Sequence, residues 1–274
     1  MVKEGYLIGI VAWSFGCKKA IAAGRDEFHT EGGFYNRVSG HRDDIERMII
    51  NGQKADIKDY PYQVILYYNN YDKCGGSIIA EQFILTAAHC LQSDEASKYM
   101  VKAGVSNIDE DGQERKAVEL FIHEDFSFDE PEFDIAIVQV DEPFEFSNAV
   151  RIIKLPNDDQ SAKAGDIVTV TGFGLTHSPE APGNETGDLY FIDVPIASPK
   201  ECSKHIKSDK MICIVSNTPP RKGTCYGDSG GPMMKDDYLV GIVSLGFGCD
   251  TGEPEYFTSV TYFLQWIRDI IPNN

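Results

Sequence analysis

The chain has 274 residues, 42% hydrophobic and 25% charged, enough for one large domain or two small ones. Its 25 Lys and Arg stand against 43 Asp and Glu, so the net charge is −18, and such a surface repels nucleic acid and anionic membranes. No apolar run approaches the roughly 20 residues that cross a bilayer, so neither nucleic acid nor membrane is expected as a partner.

The first segment, EGYLIGIVAWSFGC (4–17), follows Lys3 and has the shape of a short secretory signal. A second reading competes with it, because residues 236–249 read DDYLVGIVSLGFGC. Aligned without gaps, 1–17 and 233–249 agree at ten of 17 positions. Residues 1–48 carry seven basic and seven acidic side chains, whereas 49–274 carry 18 and 36, so the whole −18 lies after residue 48. Cysteines divide at the same place: Cys17 before it, and Cys74, Cys90, Cys202, Cys213, Cys225 and Cys249 after it. An even set points to disulfides and an oxidising compartment. With no CxxC pair and no His-x3-His spacing, no metal site is expected.

From residue 61 onward, short apolar runs alternate with turn residues. YQVILYY (62–68), SIIAEQFILTAA (77–88), KAVELFIH (116–123), DIAIVQV (134–140) and DIVTVTGFG (166–174) read as strands. LYFIDVPI (189–196), MICIV (211–215) and YLVGIVSLG (238–246) continue the series, which predicts an all-β barrel or sandwich. The stretch 176–188, THSPEAPGNETGD, reads as an exposed loop and contains the glycosylation triplet Asn184-Glu185-Thr186. In VTYFLQWIRDII (260–271) apolar residues recur every three or four positions, which predicts a C-terminal amphipathic helix.

Three stretches carry chemistry together: TAAHC (86–90), DIAIV (134–138) and GDSGGP (227–232). Each alone has an ordinary reading: a satisfied buried histidine, a strand-edge charge, a turn serine. Jointly they supply what a serine nucleophile needs. A hydroxyl attacks poorly until a base takes its proton, and a carboxylate must hold the imidazole in the right tautomer. Asp134 heads an apolar strand, where an unpaired carboxylate is costly. Pairing it with His89 removes that cost. The glycines flanking Ser229 let two backbone N–H groups converge on a developing oxyanion.

On these motifs residues 49–274 resemble the chymotrypsin-like serine endopeptidases along their whole length, with His, Asp and Ser in that family's order. The resemblance implies a double six-stranded antiparallel β-barrel with the site in the cleft between barrels. It makes His89 the general base, Asp134 its orienter and Ser229 the nucleophile, with Gly227 and Ser229 supplying the oxyanion hole. It places Ser244 behind Asp134 and opens at Ser244, Leu245 and Gly246 the strand that pairs with substrate backbone. It also implies disulfides Cys74–Cys90, Cys202–Cys213 and Cys225–Cys249.

Specificity in the family is set six residues before the nucleophile, here Gly223, followed by Thr224. With no acid at that position the pocket favours apolar P1 side chains. The stretch GEPEYFTSV puts Glu255 where the family carries a wall glycine. Brachyuran collagenases and cathepsin G show a similar arrangement, which implies mixed specificity: large apolar residues with some Lys or Arg. The other reading of Glu255 is a surface acid. The calcium loop of the family looks weak, since Val105 stands where a leading acid is expected.

IING (49–52) resembles the family's mature N-terminus, whose freed amine would pair with Asp228. Met48, rather than Arg or Lys, precedes it, so a chymotrypsin-like cut is expected there, self-inflicted or by a similar enzyme. GGFYNRVS (32–39) resembles the family's stretch before the last helix. Residues 1–48 therefore read as the tail of an upstream protease domain, or a propeptide, poorly ordered and with Cys17 unpaired. On that reading the secretion signal is missing from the chain. The expectation is a secreted monomer acting on protein or peptide substrates, open to protease inhibitors and needing no cofactor. A non-catalytic homologue that binds or regulates is the alternative.

Overall fold

In the computed structural model, which describes residues 2–3, 6–7, 49, 51–175, 187–217, 221–249 and 251–271, the apolar runs of the first half close into a ring. Before them, β1 (Val2–Lys3) and β2 (Tyr6–Leu7) pair antiparallel, and β3 (Gln53–Lys54) follows. The barrel consists of β4 (Gln63–Tyr68), β5 (Asp72–Ala80), β6 (Phe83–Thr86), β7 (Tyr99–Ala103), β8 (Gln113–Ile122) and β9 (Ala136–Val140). Its strands run in the order β4-β5-β6-β9-β8-β7 and return to β4. All the pairings are antiparallel, and closure leaves no free strand edge. Val64, Leu66, Ile78, Ile84, Val101 and Val138, which the register sets on one face, fill the interior.

The second half forms β10 (Ile167–Gly172), β11 (Tyr190–Pro195), β12 (Met211–Ile214), β13 (Pro232–Lys235), β14 (Tyr238–Leu245) and β15 (Glu255–Ser259). With β3 they make a seven-stranded sheet in the order β12-β15-β14-β13-β10-β11-β3. An isolated bridge between Ile196 and Ile214 brings the far end of β11 back to β12, so this sheet also curls round. Val168, Val170, Ile192, Met233, Val240 and Phe257 lie inside it.

The all-β expectation agrees with this architecture, with four refinements. The run 77–88 is two strands, broken at Glu81–Gln82, where Gln82 Nε2 donates to the Val140 carbonyl at 3.0 Å. Strands β7, β13 and β15 lack a clean apolar alternation and were not foreseen. The helix expected over 260–271 is α2, Leu264–Ile270, because 260–263 form a turn first. The short helix α1 (Pro199–Cys202) carries a capping box between Ser198 and Glu201, a signature already visible in the sequence S-P-K-E.

The three-to-four spacing of the C-terminal segment still decides its packing. Val260, Phe263, Leu264, Ile267 and Ile271 are buried against the first barrel, so the end of the chain straps the two halves together. Each such side chain contributes about 1.5–3 kcal/mol by leaving water. The strap reaches the site: Phe263 and Trp266 pack on the His123 ring, and His123 packs on Phe133, the neighbour of Asp134.

The expectations for Cys17, Met48, Asn184 and nearly all of residues 1–48 lie outside the described residues.

Candidate active site

His89 sits in a single 3-10 turn, Ala88–Cys90, directly after β6. Asp134 follows the 3-10 turn Pro131–Phe133 and precedes β9, the strand paired with β6. Strand pairing thus sets the two residues side by side across 45 positions. His89 Nδ1 lies 2.7 Å from Asp134 Oδ2, and the His89 backbone N–H donates to Asp134 Oδ1 at 2.8 Å. The Asp134 side chain is 3% exposed and the imidazole 27%, so the carboxylate is sheltered while the ring faces the cleft. Ser244 Oγ on β14 donates to Asp134 Oδ2 at 2.5 Å, and Thr258 Oγ1 on β15 donates to the Asp134 carbonyl at 2.7 Å. Both reach across from the second sheet. Burial lowers the His89 pKa, but the charge of Asp134 and its hydrogen bond outweigh that, leaving it raised above 6.5.

Ser229 lies on the loop between Cys225 and β13. Gly227 (φ +95) and Gly230 (φ +79) occupy the left-handed region, which glycine enters without steric cost. The loop is held to β14 and turned back on itself: Gly230 N donates to the Val243 carbonyl at 2.8 Å and Gly231 N to the Asp228 carbonyl at 2.9 Å. It docks on the first barrel where Gly75 N donates to the Ser229 carbonyl at 2.7 Å. A Cβ on Gly75 would stand 2.7 Å from Gly231 Cα, and one on Gly230 would overlap Thr86 and come 3.2 Å from Ala87 N, two residues before His89. The glycines therefore let the Ser229 loop approach the histidine turn. His89, Asp134 and Ser244 are directly linked; Ser229 Oγ has no hydrogen bond among the described residues. Catalytic contacts of this kind commonly tighten only with substrate. The backbone N–H groups of Gly227 and Ser229 have no acceptor among the described residues.

Asp228 is wholly buried. Its carboxylate accepts from Gly174 N at 2.8 Å and Cys225 N at 2.9 Å. Burial pushes its pKa up, the two N–H groups and the charge of Lys73 pull it down, and the balance is about 6. A Cβ on Gly174 would lie 2.5 Å from the Asp228 carboxyl, and one on Gly172 would overlap it. Sequence reading missed both glycines, although the GFG of 172–174 was a signal. Ile49 is fully buried among the second-sheet core residues, with φ +27.

Glu255 does not turn out to the surface. Its carboxylate accepts from Thr224 N at 2.7 Å and Thr224 Oγ1 at 2.9 Å, and a Cβ on Gly223 would overlap it. With Ser216, Arg221, Lys222, Gly223, Gly252 and Glu253 it lines a small pocket, and a Cβ on Gly246 would stand 3.8 Å from its Cγ. Burial raises its pKa, the Thr224 hydrogen bonds oppose this, the charge of Asp228 adds to it, and the result is about 7. Leu245, next along β14, packs with Met211, Cys213 and Tyr256.

Three disulfides, Cys74–Cys90, Cys202–Cys213 and Cys225–Cys249, join the pairs that the resemblance implied. The first ties β5 to the residue after His89, and the last ties the start of the Ser229 loop to the exit of β14. Bridges closing loops of this size remove about 3 kcal/mol of unfolded-chain entropy each. Cys74, His89 and Cys90 place their ligand atoms together, but both sulfurs are consumed in the disulfide and offer no thiolate to a metal.

Closed barrel, curled second sheet, and a His-Asp pair whose turn lies against a glycine-framed serine loop together define a chymotrypsin-like serine endopeptidase. Residues 49–267 match the family described as Trypsin, and the chain belongs to that family. It is 37% identical over 227 residues to Brachyurin of Leptuca pugilator, covering 80% of this chain and 97% of that protein. It is 33% identical over 234 residues to the Vitellin-degrading protease of Bombyx mori, covering 82% and 86%. Against Trypsin epsilon of Drosophila erecta it is 33% identical over 233 residues, covering 82% and 88%.

Proposed function

We propose that the protein is a secreted endopeptidase that cleaves peptide bonds through an acyl-enzyme, preferring large apolar P1 residues with some Lys and Arg. The observation that carries this reading is the His89–Asp134–Ser244 chain of hydrogen bonds beside the Ser229 loop. His89 Nδ1–H donates to Asp134, leaving Nε2 as the acceptor that takes the Ser229 proton. Ser229 Oγ attacks the scissile carbonyl, whose oxygen becomes an anion received by the Gly227 and Ser229 N–H groups. The imidazolium returns its proton to the leaving amine. Water, deprotonated by the same base, then releases the acyl group from Ser229.

The P1 side chain enters the pocket floored by Gly223 and Thr224. Glu255 makes no ion pair among the described residues, although Arg221 and Lys222 also line its pocket, and burial leaves it neutral below about pH 7 and charged above it. The ratio of kcat/KM for Lys or Arg at P1 to that for Phe therefore rises with pH through about 7, since the charge attracts a cation only once formed. His89 affects both substrates alike and cancels in the ratio. A Glu255→Gly variant loses this pH dependence and most of its Lys/Arg cleavage. Unchanged Lys/Arg activity in that variant removes Glu255 from the pocket.

Residues 49–274 are the catalytic domain on this reading, and 1–48 are a remnant resembling the tail of an upstream protease domain. Activation is a cut between Met48 and Ile49, the new amine pairing with Asp228. Ile49 favours it: φ +27 is a conformation that a β-branched residue rarely adopts, and cutting the preceding bond removes the constraint. Three disulfides accord with an oxidising compartment.

The test is to cut the protein to begin at Ile49, expose it to a phosphonyl fluoride, and map the adduct. Labelling at Ser229 together with hydrolysis of a Phe-p-nitroanilide peptide supports the reading. A folded, cut protein that neither labels nor hydrolyses is a binding homologue instead.

A further inference from the structure

Lys73 lies on β5, directly before Cys74. Its Cε stands 3.6 Å from where a Cβ on Gly227 would project, so its stem runs along the oxyanion loop. The side chain is partly buried. In a chain with 43 acids, its ammonium has no hydrogen bond or ion pair among the described residues. An ordinary surface lysine extends into solvent; this one is held at the edge of the reaction centre, where its charge reaches buried Asp228 but closes no ion pair among the described residues.

Position decides what that charge meets. The acyl half of a substrate must lie toward the Glu255 pocket and the Ser244–Gly246 strand, on one side of Ser229. The leaving half must exit on the other side, past His89 and the Cys74–Cys90 disulfide. There a shallow cleft is lined by Leu66, Tyr68, Lys73, Cys74, Cys90 and Gln92. Lys73 is the cation of that cleft, and the rest of its lining carries no charge.

We propose that Lys73 is a specificity-determining residue for the leaving half of the substrate, selecting Asp or Glu at the first or second position after the cleaved bond. This rests on the proteolytic reading of the site and adds a second axis to it, since the P1 pocket and this cleft recognise opposite sides of the bond. An acidic side chain there pairs with an ammonium whose stem is already held, so less side-chain freedom is lost than with a fully exposed lysine.

The experiment uses the protein cut at Ile49 and matched quenched peptides that share one Phe-terminated acyl half. They differ only in carrying Glu or Lys at the first and second leaving positions. Each variant's rates are normalised to its own rate on a Phe-p-nitroanilide, which has no leaving residues. Expected for the unaltered protein is a Glu-over-Lys preference of about fivefold in kcat/KM, shrinking with added salt. Lys73→Glu inverts the ratio, and Lys73→Met, which keeps the stem, brings it near one. A ratio that is the same in all three proteins overturns the proposal while leaving the protease reading standing. Failure of the unaltered protein to hydrolyse the p-nitroanilide overturns both.

Discussion

Asp134→Asn lowers kcat for peptide hydrolysis by about 10⁴-fold, with KM changed far less. The cause is the tautomer of His89. The Asp134 carboxylate accepts from both His89 Nδ1, at 2.7 Å, and Ser244 Oγ, at 2.5 Å. An asparagine amide can keep the same positions but must turn either an N–H₂ or a carbonyl toward the ring. With the N–H₂ facing His89, Nδ1 becomes the acceptor and Nε2 carries the proton, so no base faces Ser229. The fold barely notices, because the shape is conserved and Thr258 still holds the backbone carbonyl of residue 134. The pH profile supplies a second readout. Activity of the unaltered enzyme rises as His89 loses its proton, at a pKa held above 6.5 chiefly by Asp134 against the opposing effect of burial. In Asp134→Asn that supporting charge is gone, and the residual activity rises at lower pH. A variant retaining a tenth or more of kcat would detach Asp134 from the base.

On the proposed pairing of the Ile49 amine with Asp228, Asp228→Asn in protein cut at Ile49 lowers activity by about 10² to 10³-fold, since breaking a buried ion pair from one side costs about 3–5 kcal/mol. The same residue leaves a signature in the uncut chain. An acid whose pKa is 3.8 when unfolded and about 6 when folded holds more protons in the folded state between those values. Stability of the uncut chain therefore falls as pH rises through that window, by about 3 kcal/mol in total, and is flat above it. On the proposed activation, cutting supplies an ammonium to the charged form and removes this fall. Thermal melting between about pH 4 and 7 checks the sign, comparing uncut Ser229→Ala protein with the Ser229→Ala, Asp228→Asn double variant. The single variant melts lower as pH rises, and the double variant lacks that component. Equal pH dependence in the two would mean that Asp228 is solvated in the uncut chain, against its complete burial.

Both expectations draw on residues that motifs made visible, yet their energetics come from neighbours far away in sequence. Asp134 was legible because a carboxylate opening an apolar strand demands a partner. Its second partner, Ser244, came only through the family resemblance, and Thr258 was not anticipated at all. Nothing local ties residue 134 to a strand more than 100 residues later. Strands β7, β13 and β15 escaped for a related reason. Their residues meet cross-strand neighbours on both sides, so burial replaces the alternation that marks a half-exposed strand.

By itself the sequence determined the residue types on which the chemistry depends: a base, an acid and a hydroxyl, glycines where a side chain would block the approach of two loops, and an even set of cysteines. It also determined the period of each segment, because alternation and three-to-four spacing are local properties of a chain. Tertiary structure decided which way Glu255 turns, since its direction depends on the space left by Gly223 and on the Thr224 donors 31 residues away. It decided likewise that Gly172 and Gly174 crowd Asp228, and that the Lys73 stem lies beside Gly227. These are questions of volume and charge between segments distant in the chain, and only a folded chain brings those segments within reach of one another.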